Sequence, residues 1–135
     1  MQLKGIDTNI LVRFLVSDDD QQAQQVYRLF KKAETQKTEF FVPLVVVLEL
    51  IWVLESAYGI VREEILESIG DLLLMPILQF EHVVTLQQFI LTAQGTRYDL
   101  SDLLIGQVAK DQGCQGVLTF DRKASASLLF ELVQE

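Results

Sequence analysis

Cysteine is almost missing from this chain. Cys114 is the only one among 135 residues, which excludes an intrachain disulfide and any zinc site built on several thiolates. It stands in a Gly113-Cys114 turn ahead of an apolar segment and reads as a small structural thiol. Histidine is as scarce: His82 has no second imidazole to share a metal with, and reads as a solvated loop side chain rather than a ligand or base. No run approaches the roughly 18 to 20 apolar residues of a membrane span, and no basic region leads into an apolar core of signal-peptide length at the amino terminus. A cytoplasmic protein without a membrane partner is expected. Positive charge is short as well, with 11 Lys and Arg against 19 Asp and Glu and a net charge of −8. A nucleic acid would therefore have to be met by a local basic patch or through metal ions.

Apolar side chains are in excess instead. Hydrophobic residues make up 50% of the chain and mean hydropathy is +0.26, high for so short a chain, so part of the apolar surface is expected to be covered by a second copy or a bound protein. The runs at 26–30 and 44–52 are the candidates for such interfaces. The length fits one domain over residues 1–135, and no repeat, linker or low-complexity tract interrupts it.

Residues 3–6 read as a short strand that stops at Asp7-Thr8-Asn9, where a helical pattern begins. A carboxylate at the carboxyl end of a parallel strand lies where open α/β sheets hold ligands, with Thr8 or Asn9 capping the helix; alternatively Asp7 itself is the cap. Three acids, Asp18 to Asp20, suit the first turn of an amphipathic helix over 21–35, with Ala23, Val26, Tyr27, Phe30 and Ala33 inward and glutamines and lysines outward. Residues 40–42 make a buried strand, and Pro43 fits the first position of a helix over 44–58. Glu49 is the only charge in its run LVVVLELIWVL. Burial without a partner would shift its pKa, so it faces a solvent-filled cleft, binds metal or pairs with a buried base, and the cleft is favoured.

A helix over 61–75, a strand over 77–80 and a helix over 84–93 follow. In the closing segment, Asp99 can cap a helix whose third residue is Asp102, which puts both carboxylates on one face at its amino terminus. A strand over 116–120 stops at Asp121, repeating the placement of Asp7, and residues 130–133 read as an edge strand. Capping does not explain the whole constellation: two strand-end acids, a lone acid on an apolar helix and a paired acid on another.

These segments resemble the PIN domain family of metal-dependent ribonucleases, most closely the VapC-type toxins of toxin–antitoxin pairs. GIDTNILVRFL is similar to the family's opening strand and first acid, VPLVVVLELIWVLESAYG to its helix with an embedded Glu, and DLSDLLIGQVAKDQGC with VLTFDRKA to its closing segments. The resemblance implies a three-layer α/β/α sandwich with a central, mainly parallel sheet of four or five strands. It implies Asp7, Glu49, Asp102 and Asp121 as the catalytic, metal-binding acids, Asp99 as a fifth, and Thr8, Asn9 and Thr119 as hydroxyl or amide helpers. It further implies Mg2+ or Mn2+, an RNA substrate, a small antitoxin partner and a homodimer. One departure stands out. Relatives often carry a further Asp and an aromatic residue after the last acid, whereas Arg122-Lys123-Ala124 follow here, which counts against a second metal.

Two other families fit less well. A haloacid-dehalogenase phosphatase wants a second acid two residues after the first, where Asn9 stands, and a receiver domain wants an acidic pair at an earlier strand end, whereas residues 1–6 hold no acid.

Carboxylates crowded in a cleft repel unless cations neutralise them, and a hard divalent ion both does so and can activate a water for attack on a phosphodiester. Lys4, Arg13, Arg97, Arg122 and Lys123 are candidate contacts to RNA phosphates. The competing expectation is a PIN-like module that has lost catalysis and only binds its partner.

Overall fold

Among the described residues every strand pairing is parallel, so each must be reached by a crossover, and helices supply most of them. The structure is a computed structural model that describes residues 2–134. Contacts group the chain into two compact units, residues 1–83 and 84–135.

In the first unit, β1 (Leu3–Gly5), β2 (Glu39–Val42) and β3 (Leu78–Phe80) form a sheet of order β1-β2-β3. The register pairs Lys4 with Phe40 and Phe40 with Leu78. As the middle strand, β2 buries Phe40 and Val42, which is why its apolar residues run on without polar alternation. Helices α1 (Thr8–Leu15) and α2 (Asp20–Gln36) connect β1 to β2, and α3 (Leu44–Ser56) and α4 (Arg62–Leu73) connect β2 to β3. Their inward faces supply the core: Leu11 and Val12, Val26 and Phe30, Leu50, Ile51 and Leu54, Ile65 and Ile69. Phe30 stacks at a tilt between Phe14 and Phe40, with ring centroids 5.0 and 5.6 Å away.

Of the expected interface runs, Val26 and Phe30 are thus core residues, while Tyr27, Leu29, Val45 and Trp52 are exposed. Pro43 is the N-cap of α3 rather than its first residue. It has no side chain able to cap, and the Glu81 carboxylate, just past β3, accepts the Leu44 N–H at 2.8 Å instead.

The second unit holds α6 (Leu100–Asp111) and a parallel pair, β4 (Val117–Thr119) with β5 (Phe130–Leu132), joined through a 3-10 turn at Ala124–Ala126. Helix α5 (Val83–Gln94) begins at the unit boundary. Thr85 and Gln107 are buried, and both bond the Asp111 carboxylate, at 2.5 and 3.0 Å. Gly106 is required by packing: a Cβ there would lie 2.8 Å from the Leu129 Cβ.

The α/β fold with parallel strands is the one expected from the sequence. Among the described residues, hydrogen bonds link five strands as a set of three and a pair. The helices expected over 44–58 and 61–75 are shorter at their ends, Gly59 taking the left-handed conformation (φ +60°) between them. His82 is exposed, as expected, and so is Cys114. Among the described residues, no helix is long and apolar enough to cross a membrane.

Candidate active site

In the first unit, the ladder between β1 and β2 runs one step past the strand, with the Ile6 N–H bonded to the Phe41 carbonyl at 3.1 Å, and the chain then turns into α1. Asp7 occupies that corner. It is the N-cap of α1, and its Oδ1 accepts the Ile10 N–H at 3.3 Å. Thr8 and Asn9 lie inside the helix, which corrects the expectation that one of them caps it. The Asp7 carboxylate is exposed, and its Oδ2 accepts no hydrogen bond from a described residue.

Thr8 is buried, and its hydroxyl donates to Glu49 Oε1, joining α1 to a residue 41 positions later on α3. Glu49 is exposed and forms no salt bridge with any described residue. The apolar run around it goes to the core through Val46, Val47, Leu50 and Ile51, while the face bearing Glu49 also carries Val45 and Trp52, 72% and 62% exposed.

Arg13 is engaged within the protein. It reaches Asp18 at 2.9 Å, Gln22 at 2.6 Å and the Tyr58 hydroxyl at 3.3 Å, and the Tyr58 bond, with the nearby charges of Asp18 and Asp19, raises its pKa. Lys4, by contrast, is exposed on β1.

In the second unit, Asp99 is the N-cap of α6, its Oδ1 accepting the Ser101 and Asp102 N–H groups at 2.9 and 3.3 Å, as the sequence implied. Asp102 follows on the first turn, half-buried. Burial, then the charges of Asp99 and Asp121, push its carboxyl above the ordinary aspartate value. Asp121 lies past β4, and its Oδ1 accepts the Lys123 and Ala124 N–H groups at 2.8 and 3.3 Å, starting the 3-10 turn. The Thr119 hydroxyl oxygen accepts the Asp121 N–H at 3.0 Å, so Thr119 shapes the turn rather than touching the carboxylate. Arg97, Arg122 and Lys123 are exposed.

Three junction acids therefore behave alike: Asp7, Asp99 and Asp121 each give Oδ1 to the backbone, and in none does Oδ2 accept from a described residue. Such free carboxylate oxygens are the donors a hard divalent cation prefers. Among the described residues, no three His, Cys, Asp or Glu gather closely enough to hold a metal ion by themselves. Mg2+ asks less than that, because it keeps much of its water and needs one or two carboxylates. The acid that sequence reasoning missed is Glu81; it too follows a strand, which was the available signal, and its role is the cap of α3.

The family model for the PIN domain matches residues 5–126. The chain belongs to the PIN domain family. All five candidate acids fall inside the matched span. Among similar proteins is a VapC ribonuclease of Aquifex aeolicus, 26% identical over 121 residues, covering 90% of this chain and 89% of that one. Among solved structures, the Mycobacterium tuberculosis VapC20, a sarcin-ricin loop cleaving toxin, is 15% identical with a TM-score of 0.43, covering 93% of this chain and 94% of the other.

Proposed function

We propose that this PIN domain is a divalent-metal-dependent endoribonuclease, the toxin of a VapBC-type pair, cutting RNA phosphodiester bonds as one catalytic domain over residues 1–135. Asp7, Glu49, Asp102 and Asp121 would hold Mg2+ or Mn2+, with Asp99 as a further acid. The supporting observation is that the junction acids keep one oxygen apiece free while the other fixes their direction through the backbone. A capping residue alone does not need company, yet Asp102 is partly buried in the field of two other carboxylates, a cost that a bound cation would relieve without protonating it.

When bound, the ion supplies a Lewis acid for phosphoryl oxygens and a water of lowered pKa. The chain's own groups do the rest. Thr8 donates to Glu49 and so holds that carboxylate in one orientation, Asn9 stands exposed beside Asp7, and Thr119 sets the turn that presents Asp121. Arg97, Arg122 and Lys123 offer exposed cations for phosphates. Arg13 is tied to Asp18 and Tyr58, so its part is to brace α1.

The partners follow the same reading. The exposed Val45 and Trp52 flank Glu49 on α3, a surface suited to an apolar antitoxin segment with a basic residue directed at the acids. The protein is read as a cytoplasmic homodimer, since so much apolar surface is left uncovered. The test is cleavage of a single-stranded RNA by purified protein in Mg2+, in Mn2+ and in EDTA, beside Asp7→Asn. Cleavage that needs metal and Asp7 is expected. Cleavage unaffected by EDTA, or equal in the variant, refutes the reading, and a folded protein that cuts nothing but binds a partner establishes the non-catalytic module.

A further inference from the structure

Helix α2 carries an outward face whose purpose the acids do not explain. Gln25, Leu29, Lys32 and Gln36, spaced by three or four residues, lie on one side of it and are all exposed. Two surface hollows run along that side. The first, about 300 Å3, starts at Asp7 and Asn9 and passes Gln25 to reach Leu29. The second, about 220 Å3, starts at the same Leu29 and ends among Lys4, Lys32 and Gln36. Both are lined by Leu29, so a strand laid along this side of α2 would pass from a candidate catalytic acid to a pair of cations. Neither lysine forms a salt bridge with a described residue. In a chain of net charge −8, two lysines converging from β1 and α2 on one polar hollow form a local departure from the bulk field.

We propose that these two hollows together are the substrate track, in which single-stranded RNA lies along α2, its backbone phosphates on Lys4 and Lys32 and its base edges or 2′-hydroxyls on Gln25 and Gln36. The proposal rests on the ribonuclease reading and names where its substrate runs. The chemistry matches. Primary amides both donate and accept, as base edges and 2′-hydroxyls require, Leu29 gives an apolar seat for a base face, and lysines take phosphates as point charges. At 1.5 Å per residue, the run from Gln25 to Gln36 spans about 16 Å, so the track holds several nucleotides beside the one being cut. Gln22, which also lines the first hollow, is held by Arg13 at 2.6 Å and fixes the wall at the Asp7 end.

The test separates binding from cleavage. Binding of a fluorescent single-stranded RNA is measured by anisotropy in EDTA over a range of salt, for the wild type, Lys4→Gln/Lys32→Gln, Gln25→Ala/Gln36→Ala, and Lys110→Gln as a control on an exposed lysine of α6. Each phosphate contact to a single strand contributes about −0.7 to the slope of log affinity against log salt, so the lysine pair should flatten it by about 1.4. The glutamine pair should leave that slope alone and narrow the preference for RNA over DNA of the same sequence. With Mg2+, the lysine pair should lose about tenfold in kcat/KM, carried by KM. An unchanged slope in Lys4→Gln/Lys32→Gln overturns the proposal, as does an equal flattening in Lys110→Gln or wild-type protein that binds no RNA at low salt. A flattened slope in a protein that cuts nothing instead leaves the track standing and removes the nuclease reading.

Discussion

Glu49→Gln separates a site acid from a structural one. The Thr8 hydroxyl is buried and Glu49 Oε1 is its acceptor, whereas the Glu49 side chain is exposed and free to be hydrated. Glutamine keeps an oxygen at that place, so the hydrogen bond survives in neutral form. The difference between a charged and a neutral hydrogen bond is about 1 kcal/mol. With an unfolding entropy of about 2.1 cal/mol/K per residue, 1 kcal/mol moves the Tm of a 135-residue chain by about 3 to 4 °C.

Glu49→Leu is a harsher change, because it leaves a buried hydroxyl without an acceptor. It should cost about 1 to 3 kcal/mol, or up to about 10 °C, and Thr8→Val added to it should recover most of that loss, since both partners are then apolar. Calorimetry or circular dichroism melting in EDTA reads the three variants. RNA cleavage in Mg2+ should fall more than about 100-fold in Glu49→Gln, beyond the cost of losing a group that only orients a ligand. A stability loss of about 3 to 5 kcal/mol in Glu49→Gln is the signature of a broken buried ion pair and would refute the argument; so would unaltered cleavage.

Asp7→Asn should cut no RNA yet melt within about 1 kcal/mol of the wild type, since an asparagine oxygen caps α1 about as well; cleavage at the wild-type rate contradicts the assignment. For Asp102 the folded carboxyl titrates above its ordinary 3.8, so as pH rises past 3.8 the unfolded chain gives up its proton first and stability of the metal-free protein declines until the folded group has ionised too. Asp102→Asn in EDTA should therefore melt higher than wild type near neutral pH and no higher below 3.8, and a variant equally or less stable near neutrality contradicts this. Gly106→Ala should lose about 1 to 3 kcal/mol, because its Cβ would meet the Leu129 Cβ at 2.8 Å, and an unchanged Tm would show that β5 yields without strain. Light scattering at micromolar concentration should report a dimer that survives high salt, since apolar contact is not screened, and a monomer under all conditions counts against it.

Most elements were legible because period and punctuation agree: α2 alternates at helical spacing behind Asp19, and β2 is apolar from Phe40 to Val42, as suits a middle parallel strand. The ends were not legible. The strands expected over 3–6, 77–80 and 116–120 are each shorter, since a strand ends where its ladder loses a partner, and a partner's register is not a local property. Arg13 illustrates the same limit. Locally it is an exposed cation on an amphipathic helix, and only the folded chain brings Tyr58, 45 positions later, within reach of its guanidinium.

The acids were ambiguous for a physical reason rather than for want of signal. A strand-to-helix corner needs an acceptor for the helix's first N–H groups, and a metal or substrate site at the same corner needs an acceptor pointing outward. One carboxylate has two oxygens and can meet both needs, so capping and catalysis at Asp7 were never exclusive alternatives. The folded chain has Oδ1 on the Ile10 N–H and leaves Oδ2 without a described donor, and Asp99 and Asp121 repeat the division. A residue type that satisfies two demands cannot reveal from sequence which one selected it. Glu49 and Asp102 are more telling than the corner acids for that reason: neither caps a helix, one is the lone charge in an apolar run and is held by a buried hydroxyl, and the other is raised by burial and by two neighbouring carboxylates. Asp102 costs stability in the isolated fold, as a position kept for chemistry would, whereas Glu49 gains a hydrogen bond from Thr8 that leaves its other oxygen to solvent.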